Sequence, residues 1–498
     1  MKQNLDIAIV GAGISGINAA YRVQAAFPNY SYAVLESRDS IGGTWDLFKY
    51  PGIRSDSDLF TFGFQWHPWN EQNPIAEGPA IKKYLLEAVV QHNIDKHILL
   101  KHHLKTASWS SVDQRWTLRI DNNGSTKIYS ARFVIFGTGY YDYREPLRVQ
   151  IPDLQTFKGP VIHPQFWPED IDYTDKRVTV IGSGATAVTL VPKLAERAAH
   201  TTMLQRSPTY IMSVPNPKSG SLLSRLIPSR VARKLARVNW IITPRLFFLF
   251  CRRFPNAARW IIRKQTISQL PKHIPFDPHF NPRYNPWDQR VCLCPDGDFF
   301  KALHTGRVEM KTGTIKAVTE TGIQLDSGDF IGTDIIVTAT GLKLQAAGGV
   351  AIDIDGQTFD LANKFLWNGA MLEDLPNAAY VIGYTNASWT LGADATAHFV
   401  VRLLKRLDKK GYTAAVPRMG KGKTLNETQL LNLKSTYIAA AEGSLPRVAE
   451  TAPWQPRDNY VSDYRFAKYG IDSINIQSIQ ILEKSNLIAM TQYPLASG

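Results

Sequence analysis

The sequence predicts an α/β protein with two Rossmann-like dinucleotide-binding domains, one inserted into the other, plus a helical excursion. Three observations lead to this fold class. The chain has 498 residues, which is too many for one compact core. It contains two strand–glycine turn–helix units, which begin near residues 5 and 177. The strands that follow these units end in residues of opposite charge.

The first unit begins with the apolar strand LDIAIV and continues into a glycine turn with Gly11, Gly13, Ser15 and Gly16. The first glycine permits the tight turn, the second lets a pyrophosphate approach the backbone, and the third lets helix and strand pack closely. The phosphates then lie at the positive N-terminus of the helix. The next strand ends in Glu36, whose carboxylate is placed to accept hydrogen bonds from a ribose.

The second unit has alanine at its third glycine position, which is a tolerated variant. Its turn consists of Gly182, Ser183, Gly184, Ala185, Thr186 and Ala187. The following strand, TTMLQ, leads into Arg206 and Ser207 instead of an acid. An arginine pairs with a 2′-phosphate, whereas an acid would repel it. The contrast with Glu36 predicts FAD at the first unit and NADPH at the second.

The segment from 42 to 56 suits a flat ring system. Two glycines open it, Trp45 and Tyr50 offer apolar faces, and Arg54 and Asp56 add opposite charges. A disulfide reductase would carry a cysteine pair in this region. Because no cysteine precedes Cys251, a dithiol mechanism is not expected.

Composition narrows the function classes further. The net charge is +14, but the Lys and Arg residues are spread along the chain, without zinc-finger spacing or RNA-binding aromatic motifs, so nucleic acid is not an expected partner. Three cysteines, and a strand that begins almost at once, predict an intracellular, cytoplasmic protein without a targeting segment. No transmembrane segment is expected. The apolar, Arg-containing stretch 240–262 packs on the protein or lies on a membrane surface, and packing is the preferred interpretation.

Two segments carry a family resemblance. GGTW…YPGIRSD and FKGPVIHPQFWP resemble the two fingerprints of the type I Baeyer–Villiger monooxygenases. The second fingerprint contains Phe157, Gly159, His163, Trp167 and Pro168, and its Trp-Pro ending favours this family over the N-hydroxylating flavin monooxygenases. GSGATAVTLVP, LQRSPTYI, YNPWDQR and GYTNASWTL extend the resemblance over nearly the whole chain, toward members that activate thioamides.

The resemblance implies a reaction and site residues. NADPH would reduce FAD, and a C4a-peroxyflavin formed with O2 would convert ketones to esters or lactones, with sulfides and thioamides as further substrates. Arg290 matches the arginine that stabilises the reacting anion, and Asp56 matches its partner acid. His163 and Trp167 would link the domains and couple NADP binding to domain rotation. The implied cofactor-binding positions after the first unit are Thr44, Trp45, Asp46, Leu47, Arg54, Ser55, Asp56 and Leu104.

The predicted FAD domain comprises residues 1–145 and 346–498, and the NADP domain comprises 146–345, with the helical excursion at about 215–280. The chain would cross between them at Gly137-Thr-Gly139 and Ala339-Thr-Gly341, each of which follows an apolar strand. The excursion is expected to help roof the substrate cavity.

Several alternatives stay open at this stage. An N- or S-oxygenating monooxygenase with little ketone activity, and a redox-sensing flavoprotein that does not turn over O2, compete with the Baeyer–Villiger assignment. His163 fits a structural histidine as well as a linker, and Trp389 fits packing as well as a pocket wall. Cys292 and Cys294 fit core packing better than a metal site, because no further ligand lies nearby.

Replacing Arg206 by alanine is expected to raise the Michaelis constant for NADPH about tenfold more than that for NADH, because only NADPH carries the 2′-phosphate. Steady-state oxidation of each nicotinamide by the purified, FAD-loaded protein measures both constants. Equal changes in the two constants would refute the pairing of Arg206 with the phosphate.

Overall fold

The computed structural model describes residues 3–217, 229–420, 422, 424–431, 433, 435–470 and 479–482. Residues 218–228 of the predicted excursion, and 1–2, 471–478 and 483–498 of the predicted FAD domain, lie outside the described residues. The part of the chain before residue 137 forms six strands: β1 (Gln3–Val10), β2 (Tyr32–Leu35), β3 (Ile98–Leu99), β4 (His103–Ser110), β5 (Arg115–Asn122) and β6 (Ser125–Phe136). It also forms four helices: α1 (Ile14–Ala26), α2 (Thr44–Leu47), α3 (Leu59–Phe62) and α4 (Gly78–Gln91).

Strand β1 lies inside the first sheet, parallel to β2 on one side and to β6 on the other. Successive residues of β1 point to opposite faces of the sheet. Ile7 and Ile9 pack into a cluster with α1, whereas Ala8 and Val10 pack into the cluster that contains Trp116 of β5. Because both faces are covered, the strand is apolar throughout its buried length, as is typical of parallel sheets.

The next part of the chain forms a second parallel sheet and two smaller sheets. Its strands are β7 (Val161–Ile162), β8 (Arg177–Ile181), β9 (His200–Gln205), β10 (Ile211–Val214), β11 (Cys292–Pro295), β12 (Val308–Thr312), β13 (Ile315–Thr319), β14 (Gly322–Leu325), β15 (Phe330–Gly332) and β16 (Ile335–Thr338). Its helices are α5 (Ala185–Leu194), α6 (Ser229–Arg253), α7 (Pro255–Ile267) and α8 (Asp298–Leu303). Five strands form a parallel sheet in the order β12-β9-β8-β16-β7, while β10 pairs with β11 and β13–β15 form a meander.

The last part of the chain returns to the first sheet. Its strands are β17 (Ala351–Ile354), β18 (Gln357–Thr358), β19 (Leu366–Trp367), β20 (Met371–Leu372), β21 (Ala378–Tyr380), β22 (Ala414–Pro417), β23 (Glu427–Thr428), β24 (Val448–Ala449) and β25 (Ile479–Leu482). Its helices are α9 (Trp389–Lys410), α10 (Thr436–Ala439) and α11 (Tyr460–Tyr469). Strand β17 pairs with β4 and β21 pairs with β6, which gives the first sheet nine strands. The α/β fold class with two parallel-stranded units is confirmed, and the domain boundaries stay a prediction.

The predicted helical excursion contains α6 and α7, which pack against one another and follow β10. Within the described residues, no helix combines the length and apolar character required to cross a bilayer. Four arginines of α6 hold the helix against the rest of the protein. Their partners are Asn70 for Arg233, the carbonyls of Phe60 and Gly63 for Arg237, Asp458 for Arg245 and Asp288 for Arg252.

Candidate functional site

The first glycine turn has the geometry that its spacing predicts. Gly11 adopts a φ of 95°, in the left-handed region that favours glycine. A Cβ on Gly16 would lie 1.8 Å from the carbonyl oxygen of Gly11, so the helix can approach the strand only without a side chain there. A Cβ on Gly13 would meet nothing closer than the Cα of Gly43, at 3.6 Å. Space is therefore left beside the second glycine, at the N-terminus of α1.

The second glycine turn repeats this arrangement. Gly182 adopts a φ of 141°, and a Cβ there would lie 2.2 Å from the carbonyl oxygen of Ala339. A Cβ on Gly184 would meet no atom within 4 Å, which leaves open space at the N-terminus of α5. Ala187, at the third position, is fully buried, so this helix packs with one extra methyl group.

One cavity lies between the two turns and receives residues from both. Its wall includes Gly13, Ser15, Thr44, Trp45, Tyr50, Arg54, Ser55, Asp56, Tyr140, Tyr141, Tyr143, Ala185, Thr186, Arg290, Leu293 and Trp389. Because α1 and α5 both begin at this cavity, two positive helix ends face the same space. The wall also carries flat aromatic faces. The open glycines, the helix ends and the aromatic faces together fit two dinucleotides with a ring system between them.

An ion pair joins opposite walls of the cavity. Arg290 Nη1 lies 2.8 Å from Asp56 Oδ2, and the two side chains keep 37% and 45% of their surface exposed because they face the cavity. Burial alone would lower the pKa of Arg290, but the Asp56 carboxylate and the nearby hydroxyl of Tyr140 raise it above its ordinary value. The guanidinium is therefore a permanent cation at the cavity, held by a carboxylate from the first part of the chain.

A second ion pair runs beside the first. Arg54 bonds to Asp298, the first residue of α8, rather than to Asp56 two residues away. The thiol of Cys294 also donates to Asp298, with Sγ 3.1 Å from Oδ1. The two pairs, Arg54–Asp298 and Arg290–Asp56, thus bridge the same two segments with their charges reversed.

Aromatic side chains from the chain crossings form another part of the wall. Tyr140 stacks on Trp389 with 4.8 Å between ring centroids, and Trp389 Nε1 donates to Ser15 Oγ at 2.8 Å. Burial raises the pKa of Tyr140 and of Tyr141 above the ordinary value, so both hydroxyls stay protonated at neutral pH. Sequence reasoning missed the tyrosines, although the run GYYDY begins three residues after the end of β6, which lies at the same edge of the sheet as the first glycine turn.

The second fingerprint contacts both connections between the two sheets, one from β6 to β7 and one from β16 to β17, which we call the chain crossings. His163 Nε2 lies 3.3 Å from the Gly341 carbonyl, and the buried Gln165 donates to the Asp142 carbonyl at 2.6 Å. Burial lowers the pKa of His163, so its ring is neutral at pH 7. No carboxylate hydrogen-bonds to it among the described residues. These contacts are those of an element that connects the two crossings. Sequence reasoning missed Gln165 because the fingerprint specifies no residue type at that position.

The remaining predicted residues lie near the turns or in the core. Glu36, at the end of β2, accepts a hydrogen bond from the backbone N–H of Ala12 at 2.7 Å. Asp46 pairs with Arg38 and Lys82 instead of facing the cavity. Of the others, Leu104 and Phe157 are buried. Leu47, Gly159 and Ser183 are half-buried, the last two at turns. Pro168, Arg206 and Ser207 are exposed, and Arg206 and Ser207 directly follow β9.

A second, mainly apolar cavity adjoins the first and shares Asp56, Ser57, Arg290, Leu293 and Ala387 with it. Helix α6 forms one wall through Trp240, Ile241, Pro244 and Phe247, and the loop before α9 forms another. The excursion therefore covers this cavity, and the ion pair stands where the two cavities meet.

Asp58 lies in the wall of the second cavity. It caps α3 by accepting hydrogen bonds from the N–H and the hydroxyl of Thr61, at 2.8 and 2.6 Å. Burial raises the pKa of Asp58 to about 6. Cys292 and Cys294 are buried in β11, and no cluster of metal-ligating side chains occurs among the residues that the structure describes.

Comparison with known proteins gives close relatives. The family described as pyridine nucleotide-disulphide oxidoreductase matches residues 8–233, a stretch that contains no cysteine. The chain is 44% identical to the FAD-containing monooxygenase EthA of Mycobacterium tuberculosis (strain ATCC 25618 / H37Rv), over 94% of this chain and 96% of the relative. It is 43% identical to the probable FAD-binding monooxygenase AlmA of Acinetobacter baylyi, over 94% of each.

Solved structures show the same fold. A steroid monooxygenase bound to NADP superposes with a TM-score of 0.74 at 20% identity, over 97% of this chain and all of that one. An open structure of cyclohexanone monooxygenase gives a TM-score of 0.75 at 19% identity, with the same coverage. At these identities, the likeness concerns the fold alone.

Replacing Gly184 by alanine is expected to leave the melting temperature unchanged but to raise the Kd for the second dinucleotide about tenfold, because the added Cβ enters space that only a ligand fills. Gly16→Ala is the contrasting variant, and its clash with Gly11 should prevent normal folding. Thermal unfolding and fluorescence titration with NADP+ measure the two effects. Unchanged affinity in the Gly184→Ala variant would show that the open space is not a binding site.

Replacing Asp58 by asparagine should change the pH dependence of stability. In the folded protein the pKa of Asp58 is about 6, above its ordinary value, so its contribution to stability is complete below pH 4 and is lost as the pH rises through 6. The loss amounts to about 3 kcal/mol. Asparagine keeps an acceptor for the Thr61 N–H and does not ionise, so the variant should gain in melting temperature relative to the wild type between pH 4 and 7. A difference that is constant over this range would contradict the raised pKa.

Proposed function

The chain belongs to the family of FAD-containing monooxygenases, and we propose that it transfers one oxygen atom from O2 to ketones, forming esters or lactones, with NADPH as the reductant. The observation that carries the proposal is the Arg290–Asp56 ion pair at the junction of the first cavity, which both glycine turns line, with the second, mainly apolar cavity. The first cavity would hold the two cofactors, and the second would hold the substrate. Bound and reduced, the flavin supplies the electrons that activate O2.

The proposed role of Arg290 is electrostatic. Oxygen transfer to a ketone places negative charge on oxygen in the transition state. A permanent cation aimed at that charge in a water-poor site lowers the activation free energy by about 3 kcal/mol. Asp56 fixes the position of the guanidinium through the 2.8 Å contact, and both groups are charged before the reaction begins, so no reorganisation is needed.

Recognition of the cofactors would divide between the two turns. The N-terminus of α1 and Glu36 would hold FAD, with Trp45 and Trp389 near its ring system. The N-terminus of α5 and Arg206 would hold NADPH, with Thr186 and Arg54 along its path into the cavity. His163 and Gln165, which contact both crossings, would transmit NADPH binding to the relative position of the two sheets.

Oxidation of sulfur in sulfides and thioamides is a second candidate activity. The wall of the second cavity is mainly apolar, with Trp240, Phe247 and Leu391 among its residues. Such a wall accepts soft, weakly hydrated groups without specific hydrogen bonds.

The experiment that tests the function is product analysis. Purified, FAD-loaded protein is supplied with NADPH, O2 and either ketones or thioethers of similar size, and products are identified as well as NADPH loss. We expect an ester or lactone from at least one ketone. If thioethers yield sulfoxides but no ketone yields an ester or lactone, sulfur oxidation replaces ketone oxygenation as the proposed activity.

Replacing Arg290 by alanine is expected to leave anaerobic flavin reduction by NADPH within about twofold of the wild-type rate, and to lower ester formation at least about 100-fold. Arg290→Lys, which keeps the charge but not the planar donor geometry, should retain an intermediate activity. Stopped-flow absorbance measures reduction, and product analysis measures ester. Ester formation at the wild-type rate in the alanine variant would remove Arg290 from the mechanism.

A further inference from the structure

Helix α6 turns apolar side chains away from the protein. Six of them recur every three or four residues, which places them on one face of the helix. We call this set the outer stripe, and each member is at least 44% exposed: Val231, Leu235, Val238, Ile242, Leu246 and Leu249. A surface helix normally buries such a stripe against its own core. Here it is exposed along almost the full length of the helix: Val231, Leu235 and Val238 line neither cavity, and Ile242, Leu246 and Leu249 lie at the edge of the second cavity.

The inward contacts of α6 include several arginine hydrogen bonds. Arg237 donates to the carbonyls of Phe60 and Gly63 at 2.7 and 3.1 Å, and Arg245 pairs with Asp458 at 2.7 Å. These contacts fix the orientation of the helix. In this orientation the outer stripe is exposed.

We propose that the outer stripe docks on an anionic lipid surface. Residues 229–270 contain ten Lys or Arg and no Asp or Glu. Among them, Lys234, Arg253, Arg263 and Lys264 have exposed side chains. A helix with an apolar face and flanking cations lies in the plane of a bilayer interface, where lipid tails receive the face and anionic headgroups attract the cations.

Two exposed aromatic–cation pairs support the same occupant. Arg253 lies over the ring of Phe254 at 5.4 Å, and Lys264 lies over that of Trp260 at 5.3 Å. Phe254 and Trp260 are 54% and 62% exposed. An aromatic ring at headgroup depth beside a cation that reaches water is the arrangement found at membrane interfaces.

A second copy of this chain fits the stripe less well. The three- and four-residue spacing also suits pairing of two helices. However, pairing α6 with itself would bring two strongly basic segments together with no acid on either to offset the repulsion. Charge complementarity therefore favours an anionic surface.

Docking would also bring the second cavity next to the lipid bilayer. Ile242, Leu246 and Leu249 belong to the outer stripe and to the wall of the cavity that contains Arg290. An apolar substrate dissolved in the bilayer would thus enter beside the helix without crossing water. This inference concerns the surface alone and does not depend on which substrate is oxidised.

The test is flotation of the full-length, FAD-loaded protein with lipid vesicles. One set contains phosphatidylcholine alone and the other contains about 30% phosphatidylglycerol. We expect the protein to float with the anionic vesicles and to be released in part by high salt. Recovery of the protein only in the bottom fraction with both sets would overturn the proposal.

Matched variants assign the binding to the stripe. Leu235→Gln combined with Val238→Gln removes two apolar groups that line neither cavity, and it should lower the bound fraction at constant lipid about tenfold. The control is Val90→Gln combined with Val112→Gln, whose side chains are 61% and 69% exposed elsewhere, and it should bind as the wild type does. Equal loss in both double variants would overturn the proposal.

Sedimentation velocity on the same proteins tests whether a second copy of the chain covers the outer stripe instead. Under the proposal, the wild type and the Leu235→Gln/Val238→Gln variant have the same oligomeric state. A wild-type dimer that the double substitution converts to a monomer, without vesicle binding by the wild type, would assign the stripe to a second copy of the chain and overturn the proposal.

Discussion

The ion pair between Arg290 and Asp56 is the constraint on which the site depends. Asp56 follows the first glycine turn, and Arg290 precedes β11 in the second part of the chain, so the pair fixes where the two units meet. Both side chains are partly exposed, and such a pair contributes only about 0–1 kcal/mol to folding. Its importance lies in its position, because it holds a permanent cation where the first cavity meets the second, mainly apolar cavity. The reversed pair Arg54–Asp298 bridges the same segments and limits rotation about the first.

The chain crossings link the position of the two sheets to the wall of the first cavity. The backbone runs between the two sheets from β6 to β7 and from β16 to β17, and the second fingerprint touches both connections through His163 and Gln165. Tyr140, in the first crossing, stacks on Trp389, which in turn donates to Ser15 in the first glycine turn. A shift of one sheet relative to the other would therefore move the cavity wall, and under the proposed function NADPH binding would act on the site by this route.

Sequence reasoning predicted best where function is encoded in adjacent residues. The roles of Gly11, Gly13 and Gly16 follow from their spacing after a strand, and the structure reproduces the tight turn, the open space and the close contact in that order. It predicted less well where partners are distant in sequence. Arg54 finds Asp298 244 residues away, and no local pattern encodes that choice. The stretch 240–262 was expected to pack on the protein. Arginines of α6 do bond to carbonyl and carboxylate groups of the rest of the protein, but several apolar side chains of the helix are exposed. The fold was thus accessible from the sequence. The family resemblance also paired Arg290 with Asp56, which the structure brings together, whereas nothing in the sequence indicated the Arg54–Asp298 pair.

The central claim is that an oxygen atom from O2 reaches an organic substrate at the Arg290 end of the cavity. The most direct measurement supplies the FAD-loaded protein with NADPH, a ketone and oxygen-18 gas, and determines the isotope in the product by mass spectrometry. The account predicts one labelled oxygen in each ester, at the bridging position, with the original carbonyl oxygen unlabelled. Consumption of NADPH that yields labelled hydrogen peroxide and no labelled organic product from any ketone or sulfide would contradict it.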